Sequence, residues 1–369
     1  MTDIPGCLRA SDARPSVCTA LRDWLEIQRR CVFEPQRARR LLDKTLDPRR
    51  ILAELGTRVG RPAASGEFET LVRTGTLAVP FGSAGYPERL ARLTDAPPLL
   101  LVQGDPELLC APAVAIVGAR AATAYGCATA QRFATALARA GLVVVSGLAA
   151  GVDAAAHTAV LDAGGRTIAV LACGPERVYP LRHRDLSRRV AGSGALVTEF
   201  PVGTPPRPAH FPLRNRIISA LTRAVLVVEA RVRSGSLVTA RHAANQGVDV
   251  WAVPGPVDSP ASAGTNQLLR DGAYVAHDPD EMLEALARDG VPLAHPGAVP
   301  AAAEASGLSG PERRILAALG DAPQTRDALA RVLGLPPEGL AQPLLELELA
   351  GVVVEDRDGR LRVVSPPQD

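Results

Sequence analysis

Between Ala113 and Asp278, short apolar runs return at regular intervals: Val114 to Val117, Val143 to Val145, Thr167 to Leu171, Leu196 to Thr198, Val225 to Val228 and Val250 to Val253. Nearly every position within a run is apolar, the pattern of strands buried on both faces. Between the runs, Cys127 to Arg139, Val152 to Leu161, Arg184 to Val190, Leu213 to Leu221 and Leu237 to Gln246 carry apolar residues at helical spacing. Strands alternating with helices of this length predict an α/β domain built on a Rossmann-like, doubly wound, mostly parallel sheet.

The flanks follow other periods. Leu21, Leu25, Leu41, Leu42, Ile51, Leu52 and Leu55 fall at helical spacing and predict a small N-terminal helical domain over residues 1–75, of a SAM or helix-hairpin-helix kind. From Tyr86 to Gly104 the chain reads as a turn, a short helix and an edge strand that lead into the main domain, residues 76–290. Residues 291–308 are rich in Ala, Pro and Gly without apolar periodicity, which predicts a linker. Beyond it, helical stretches at Pro311 to Leu319, Arg326 to Leu333 and Glu338 to Leu349 precede strands at Gly351 to Glu355 and Leu361 to Val364, a winged-helix pattern over residues 309–369.

Composition narrows the partners little. The 369 residues are 47% hydrophobic and 22% charged with a net charge of +2, so a nucleic-acid footprint has to be a local patch. Lys44 is the only lysine, and the remaining basic side chains are arginines. The six cysteines contain no C-x-x-C pair, which argues against a zinc site or a disulfide framework. Asp3, Arg9 and Asp12 interrupt the start, and no stretch reaches the roughly 18 uncharged apolar residues of a membrane helix. A cytoplasmic protein with no membrane insertion is expected.

In an open parallel sheet, ligands bind beyond the carboxyl ends of the strands, where helix N-termini offer free N–H groups. After the first strand, Gly118 permits close backbone approach and Arg120 supplies a forked donor, without the G-x-G-x-x-G of a dinucleotide fold. After the second, Val145-Ser-Gly-Leu-Ala-Ala-Gly-Val-Asp153 sets Ser146, Gly147 and Gly151 where an anion would sit, the strongest local signal in the chain. After the fifth, Ser234, Gly235 and Ser236 stand at a helix start, near Arg231 and Arg233. The segment Phe211-Pro-Leu-Arg-Asn-Arg216 concentrates Arg214, Asn215 and Arg216. Each turn alone could be mere packing or capping, but several on one sheet edge point to an anion site. Asp153 and His157 are four residues apart on one helix face, where a structural pair is favoured over a catalytic or metal pair for want of a third ligand. No triad, phosphate-binding G-x-x-x-x-G-K or acidic cluster is present, so no catalytic residue, metal or cofactor is expected.

Read in order, these turns resemble the DNA processing protein A family (DprA, also called Smf). The resemblance rests on Ile116-Val-Gly-Ala-Arg120, Val145 to His157, Thr167 to Leu171, Tyr179-Pro180, Phe211-Pro-Leu-Arg-Asn-Arg-Ile217, Val228-Glu-Ala230, Ser234-Gly-Ser236, Val253-Pro-Gly255 and Gly264-Thr-Asn266, preceded by Tyr86-Pro87. It implies a non-enzymatic single-stranded DNA binder that protects incoming DNA and loads RecA recombinase during natural transformation, self-associating through the Rossmann-like domain. It also implies that Arg120 is the DNA-contacting arginine of a Gly-Ser-Arg motif, with Ser146, Gly147 and Gly151 lining the phosphate pocket. Arg177 stands where relatives carry a DNA-binding lysine, and Arg207 replaces a second one. Two departures mark this chain: Ala119 replaces the motif's serine, and Gly174-Pro-Glu176 replaces a Gly-Leu-Asp-like stretch. Phe211 and Tyr179 are the candidate stacking platforms in a chain with only 3% aromatic residues.

Two enzymatic alternatives are weaker. A nucleotide-processing enzyme related to the lysine-decarboxylase-like phosphoribohydrolases would carry P-G-G-x-G-T-x-x-E, which is absent. An NAD-dependent dehydrogenase would need the glycine fingerprint and its acidic ribose-binding partner.

Overall fold

The structure, a computed structural model, describes residues 7–12, 14–56, 66–293, 315, 318–319, 324–333, 338–349, 353–355 and 359–363. The chain divides into two units after Leu293. The first opens with β1 (Leu8–Arg9) and the helices α1 (Pro15–Cys31), α2 (Pro35–Leu42), α3 (Pro48–Leu55) and α4 (Glu67–Arg73), followed by β2 (Leu77–Pro80), α5 (Glu88–Ala91) and β3 (Leu99–Gly104). The alternating part runs β4 (Ala113–Val117), α6 (Ala124–Arg139), β5 (Val143–Ser146), α7 (Val152–Asp162), β6 (Thr167–Val170), α8 (Arg184–Ser193), β7 (Ala195–Thr198), α9 (His210–Ala220), β8 (Ala224–Val227), α10 (Gly235–Asn245), β9 (Asp249–Ala252), α11 (Ala263–Arg270), β10 (Tyr274–Val275) and α12 (Pro279–Arg288).

All ten strands join one sheet in the order β1-β2-β3-β7-β6-β5-β4-β8-β9-β10. From β7 to β10 every pairing is parallel, while β1, β2 and β3 add on antiparallel beyond β7. Side chains alternate across the sheet as the pleat requires. Ala115, Val117, Val143, Val145, Val225 and Val227 pack with Ile217, Ile218, Ala240 and Ala243 of α9 and α10. Val114, Ile116, Val144 and Leu226 pack on the other face with Phe133, Leu137, Ala156, Val160 and Met282 of α6, α7 and α12. Both faces are covered, which is why the strands read as unbroken apolar runs.

The boundary expected at residue 75 falls inside the first unit. Leu21, Leu25, Ile27, Ile51 and Leu71 of the N-terminal helices share a core with Ala78, Leu99 and Leu101 of the sheet. The strand expected at the sheet edge near Gly104 is internal: β3 lies between β2 and β7. Its run of Leu99, Leu100, Leu101 and Val102, all buried, fits that position better than an edge.

In the second unit, helices Arg326–Leu333 and Glu338–Leu349 accompany a three-stranded antiparallel sheet of Gln324–Thr325, Arg360–Val363 and Val353–Glu355, in that spatial order. The two-residue strand Gln324–Thr325 goes beyond the expected hairpin. Ile315, Leu319, Leu329, Leu340, Leu344, Leu347, Val353 and Leu361 form a separate core. Of the expected helix Pro311 to Leu319, only Ile315, Ala318 and Leu319 are among the described residues, and they are helical; most of the expected linker and the turn at 356–358 lie outside them.

Candidate functional site

Strands β4 to β7 are laid down in one direction across the sheet, and β8 then takes the other side of β4. The helices therefore diverge beyond the carboxyl ends of β4 and β8, where an open α/β sheet forms its binding crevice. A cleft of about 550 Å³ lies there, and its lining includes Gly118 and Arg120 after β4, Arg214 and Asn215 on α9, and Ser234, Gly235 and Ser236 at the start of α10. Tyr179 and Arg207 line it from the loops before α8 and α9, and Phe211 from the first turn of α9, with Asp153 and Thr239 also in the wall.

Two of its arginines are exposed. The Arg120 guanidinium lies 4.6 Å from the centre of the Phe211 ring, and the Tyr179 ring lies 5.6 Å from the same ring between centres. This arginine–aromatic–aromatic series leaves Tyr179 44% exposed. Among the described residues neither Arg120 nor Arg207 forms an ion pair with a carboxylate, so their charge is available to a ligand. Arg214, by contrast, is nearly buried and donates to the carbonyls of Gly147, at 3.0 Å, and Val170. Burial pulls its guanidinium down to about 10, against the pull of the Asp153 carboxylate.

Ser234 caps α10 by accepting from the Ser236 amide at 3.3 Å, and the two hydroxyls are 2.7 Å apart. Asn215 Nδ2 donates to the Gly235 carbonyl at 3.2 Å, which ties α9 to the start of α10. The positive end of α10 thus faces the cleft, with Gly235 exposed.

The Ser146 to Asp153 turn differs from an open anion cradle. Asp153, in the first turn of α7, accepts from the amides of Gly147 at 3.0 Å and Ala149 at 3.2 Å. The carboxylate fills the place an external anion would take, and burial raises its pKa against the opposing effect of Arg214. Ser146 is fully buried and donates to the Ile116 carbonyl at 2.6 Å, so its hydroxyl does not reach the cleft. The glycines serve close packing. Gly151 has a φ of 76° and runs against the carbonyl oxygens of Ala119 and Arg120, and a Cβ on Gly118 would lie 2.6 Å from Val152 Cγ2. A Cβ on Gly147 would collide with the Arg214 guanidinium. The turn organises Arg214 and the Arg120 loop.

Arg216 is likewise removed from the cleft. Its guanidinium is 2% exposed and makes a forked pair with Glu199, at 2.5 and 2.7 Å, and a further contact with Asp95 at 3.2 Å. Arg177 is exposed but outside the cleft lining, paired with Glu176 at 2.9 Å. Asp153 and His157 do not bond to each other: His157 Nδ1 pairs with Thr167 Oγ1 at 2.8 Å, and burial lowers the ring's pKa to about 3. Glu229 is buried too, accepting from the Thr123 amide at 2.9 Å at the start of α6. Among the described residues no cluster of His, Cys, Asp and Glu could hold a metal ion, and no helix is long and apolar enough to cross a membrane.

Residues 78–287, which contain every residue of the cleft, match the model of DNA recombination-mediator protein A. The chain belongs to the DNA recombination-mediator protein A family. Residues 299–359 match the DprA winged helix domain, in accord with the pattern of the second unit. The chain is 41% identical over 293 residues to protein Smf of Escherichia coli, covering 77% of each. It is 42% identical over 331 residues to a putative DNA processing protein DprA of Mycobacterium tuberculosis, covering 89% of this chain and 82% of that one. The crystal structure of DNA processing protein A from Streptococcus pneumoniae aligns with a TM-score of 0.62 at 30% identity, over 71% of this chain and 97% of that one. DNA processing protein A from Helicobacter pylori, described for its single-stranded DNA binding mode, aligns with a TM-score of 0.52 at 31% identity, over 55% and 93% of the two chains. Within the DNA recombination-mediator protein A family, this chain presents Ala119 beside Arg120, where the carbonyl of Ala119 accepts from the Val152 amide at 3.2 Å.

Proposed function

We propose that the cleft binds single-stranded DNA without sequence choice, and that the protein protects such strands and delivers them to RecA recombinase. The observation that carries this is the pair of uncompensated arginines, Arg120 and Arg207, on an open cleft whose wall stacks Arg120 on Phe211 and Phe211 near Tyr179. Arginine both forks onto phosphate and stacks on bases, and an aromatic face accepts any base. The start of α10 offers Gly235 and the Ser234 and Ser236 hydroxyls to a phosphate, and Arg177 extends the basic surface beside Tyr179. The likeness to DNA processing protein A from Helicobacter pylori, described for its single-stranded DNA binding mode, supports the same ligand.

The site binds rather than turns over. Asp153 and Glu229, the carboxylates a nucleotide-processing enzyme would need free, hold backbone amides instead. The protein acts as a homodimer through the Rossmann-like domain. Fluorescence anisotropy with labelled single-stranded and duplex oligonucleotides tests the binding: preference for the single strand is expected, and equal affinity for both sinks it. RecA is expected to co-purify with the tagged protein when single-stranded DNA is present, and its absence from both pull-downs, with and without DNA, refutes the delivery step.

A further inference from the structure

Phe33 sits in the turn between α1 and α2 and is 55% exposed, an unusual setting for one of only six phenylalanines in the chain. Its ring lies 5.4 Å from that of His210 and 6.3 Å from that of Phe200, while Phe200 and His210 stack at 4.6 Å and are themselves buried. Phe33 is thus the outermost ring of a three-ring pile supported from below. The pile adjoins the cleft, because Phe211 packs on the cluster formed by Val32, Ala172 and Phe200. Arg207, which lines the cleft, belongs to the turn that leads into His210: its carbonyl accepts from the His210 amide at 2.9 Å. The nearest acidic neighbour in sequence, Glu34, is paired with Arg37 at 3.1 Å.

We infer that Phe33 is a second base-stacking platform, on which a nucleobase rests after a single strand leaves the cleft past Arg207, an inference that depends on strand binding at the cleft. A ring held on one face and open on the other is the arrangement that accepts a base, and stacking of this kind is indifferent to sequence. The strand then spans from the sheet onto the N-terminal helices, and the turn carrying Phe33 makes the footprint longer than the cleft alone provides. The bland alternative is that Phe33 only shields Phe200 and His210.

Binding of oligothymidylates of about 4 and about 16 nucleotides, which bracket the usual footprint of a strand-binding site, separates the two. Phe33→Leu, which keeps apolar cover over Phe200 but removes the aromatic face, and Phe33→Ala are compared with Arg120→Ala, each checked for an unchanged unfolding midpoint. The expected result is about a tenfold loss for the long oligomer with both Phe33 variants and no change for the short one, with Arg120→Ala weakening both. Restored long-oligomer affinity in Phe33→Trp supports stacking. Unchanged long-oligomer affinity in Phe33→Leu overturns the inference while leaving the cleft in place, and an equal loss at both lengths overturns it by tracing the effect to the cleft's own geometry. If Arg120→Ala changes neither length, strand binding at the cleft fails, and the platform fails with it.

Discussion

Arg214 and Arg216 stand two residues apart on α9 and therefore point to different sides of the helix. Arg214 turns to the carbonyls of Gly147 and Val170 beneath the cleft, and Arg216 to the buried Glu199 and the partly exposed Asp95. Removing one member of a buried pair strands the other's charge, so Arg216→Ala is expected to lose about 3–5 kcal/mol of stability in chemical denaturation. Arg207 has no such partner, and Arg207→Ala is expected to stay within about 0.5 kcal/mol of the parent while weakening DNA binding. His157 makes a third prediction. Its folded pKa of about 3 lies below the ordinary 6.5, so the unfolded chain binds the extra proton between these values. The stability it contributes is complete above 6.5 and is lost as pH falls towards 3, and thermal unfolding followed over that range should drop less steeply in His157→Gln. An equal slope in both proteins would remove His157 as the cause.

The starts of α7 and α10 look alike in sequence, with small residues between a strand and a helix, yet they are used differently. At α7 the helix's own Asp153 occupies the loop amides; at α10 the cap is the neutral Ser234, and the helix end remains open to the cleft. Ser234→Ala should therefore cost about 1 kcal/mol as a lost cap and also weaken strand binding. Gly147→Ala should weaken binding by displacing Arg214. This difference was not legible beforehand, because whether a carboxylate folds back over its own loop depends on a side-chain direction that spacing does not encode. The same holds for Arg214 and Arg216, which composition groups as one basic patch. The parallel strands were legible because burial on both faces imposes unbroken apolar runs such as Val143 to Val145. The two-residue strands β1 and β10 carry too few residues for any period to register, and the internal place of β3 is set by partners far away in the chain.

At the scale of the whole molecule, the first unit holds its own cores on both sheet faces and beneath the N-terminal helices, while the second has a separate core around Leu340 and Leu361. A chain ending at Leu293 is therefore expected to unfold cooperatively and to keep the cleft's strand affinity; failure to fold would show that the second unit is needed for the first. With a net charge of only +2, attraction to DNA has to come from the local arrangement at the cleft and not from the protein's overall field. The salt dependence of single-strand binding measures that arrangement directly, since each phosphate contact contributes about 0.7 to the slope of log affinity against log salt. Compared across the parent, Arg120→Ala and Arg207→Ala, the slope is predicted to fall by about that amount in each variant, with affinity reduced alike for all sequences. Parent-like slope and affinity in both variants would contradict strand binding at this cleft.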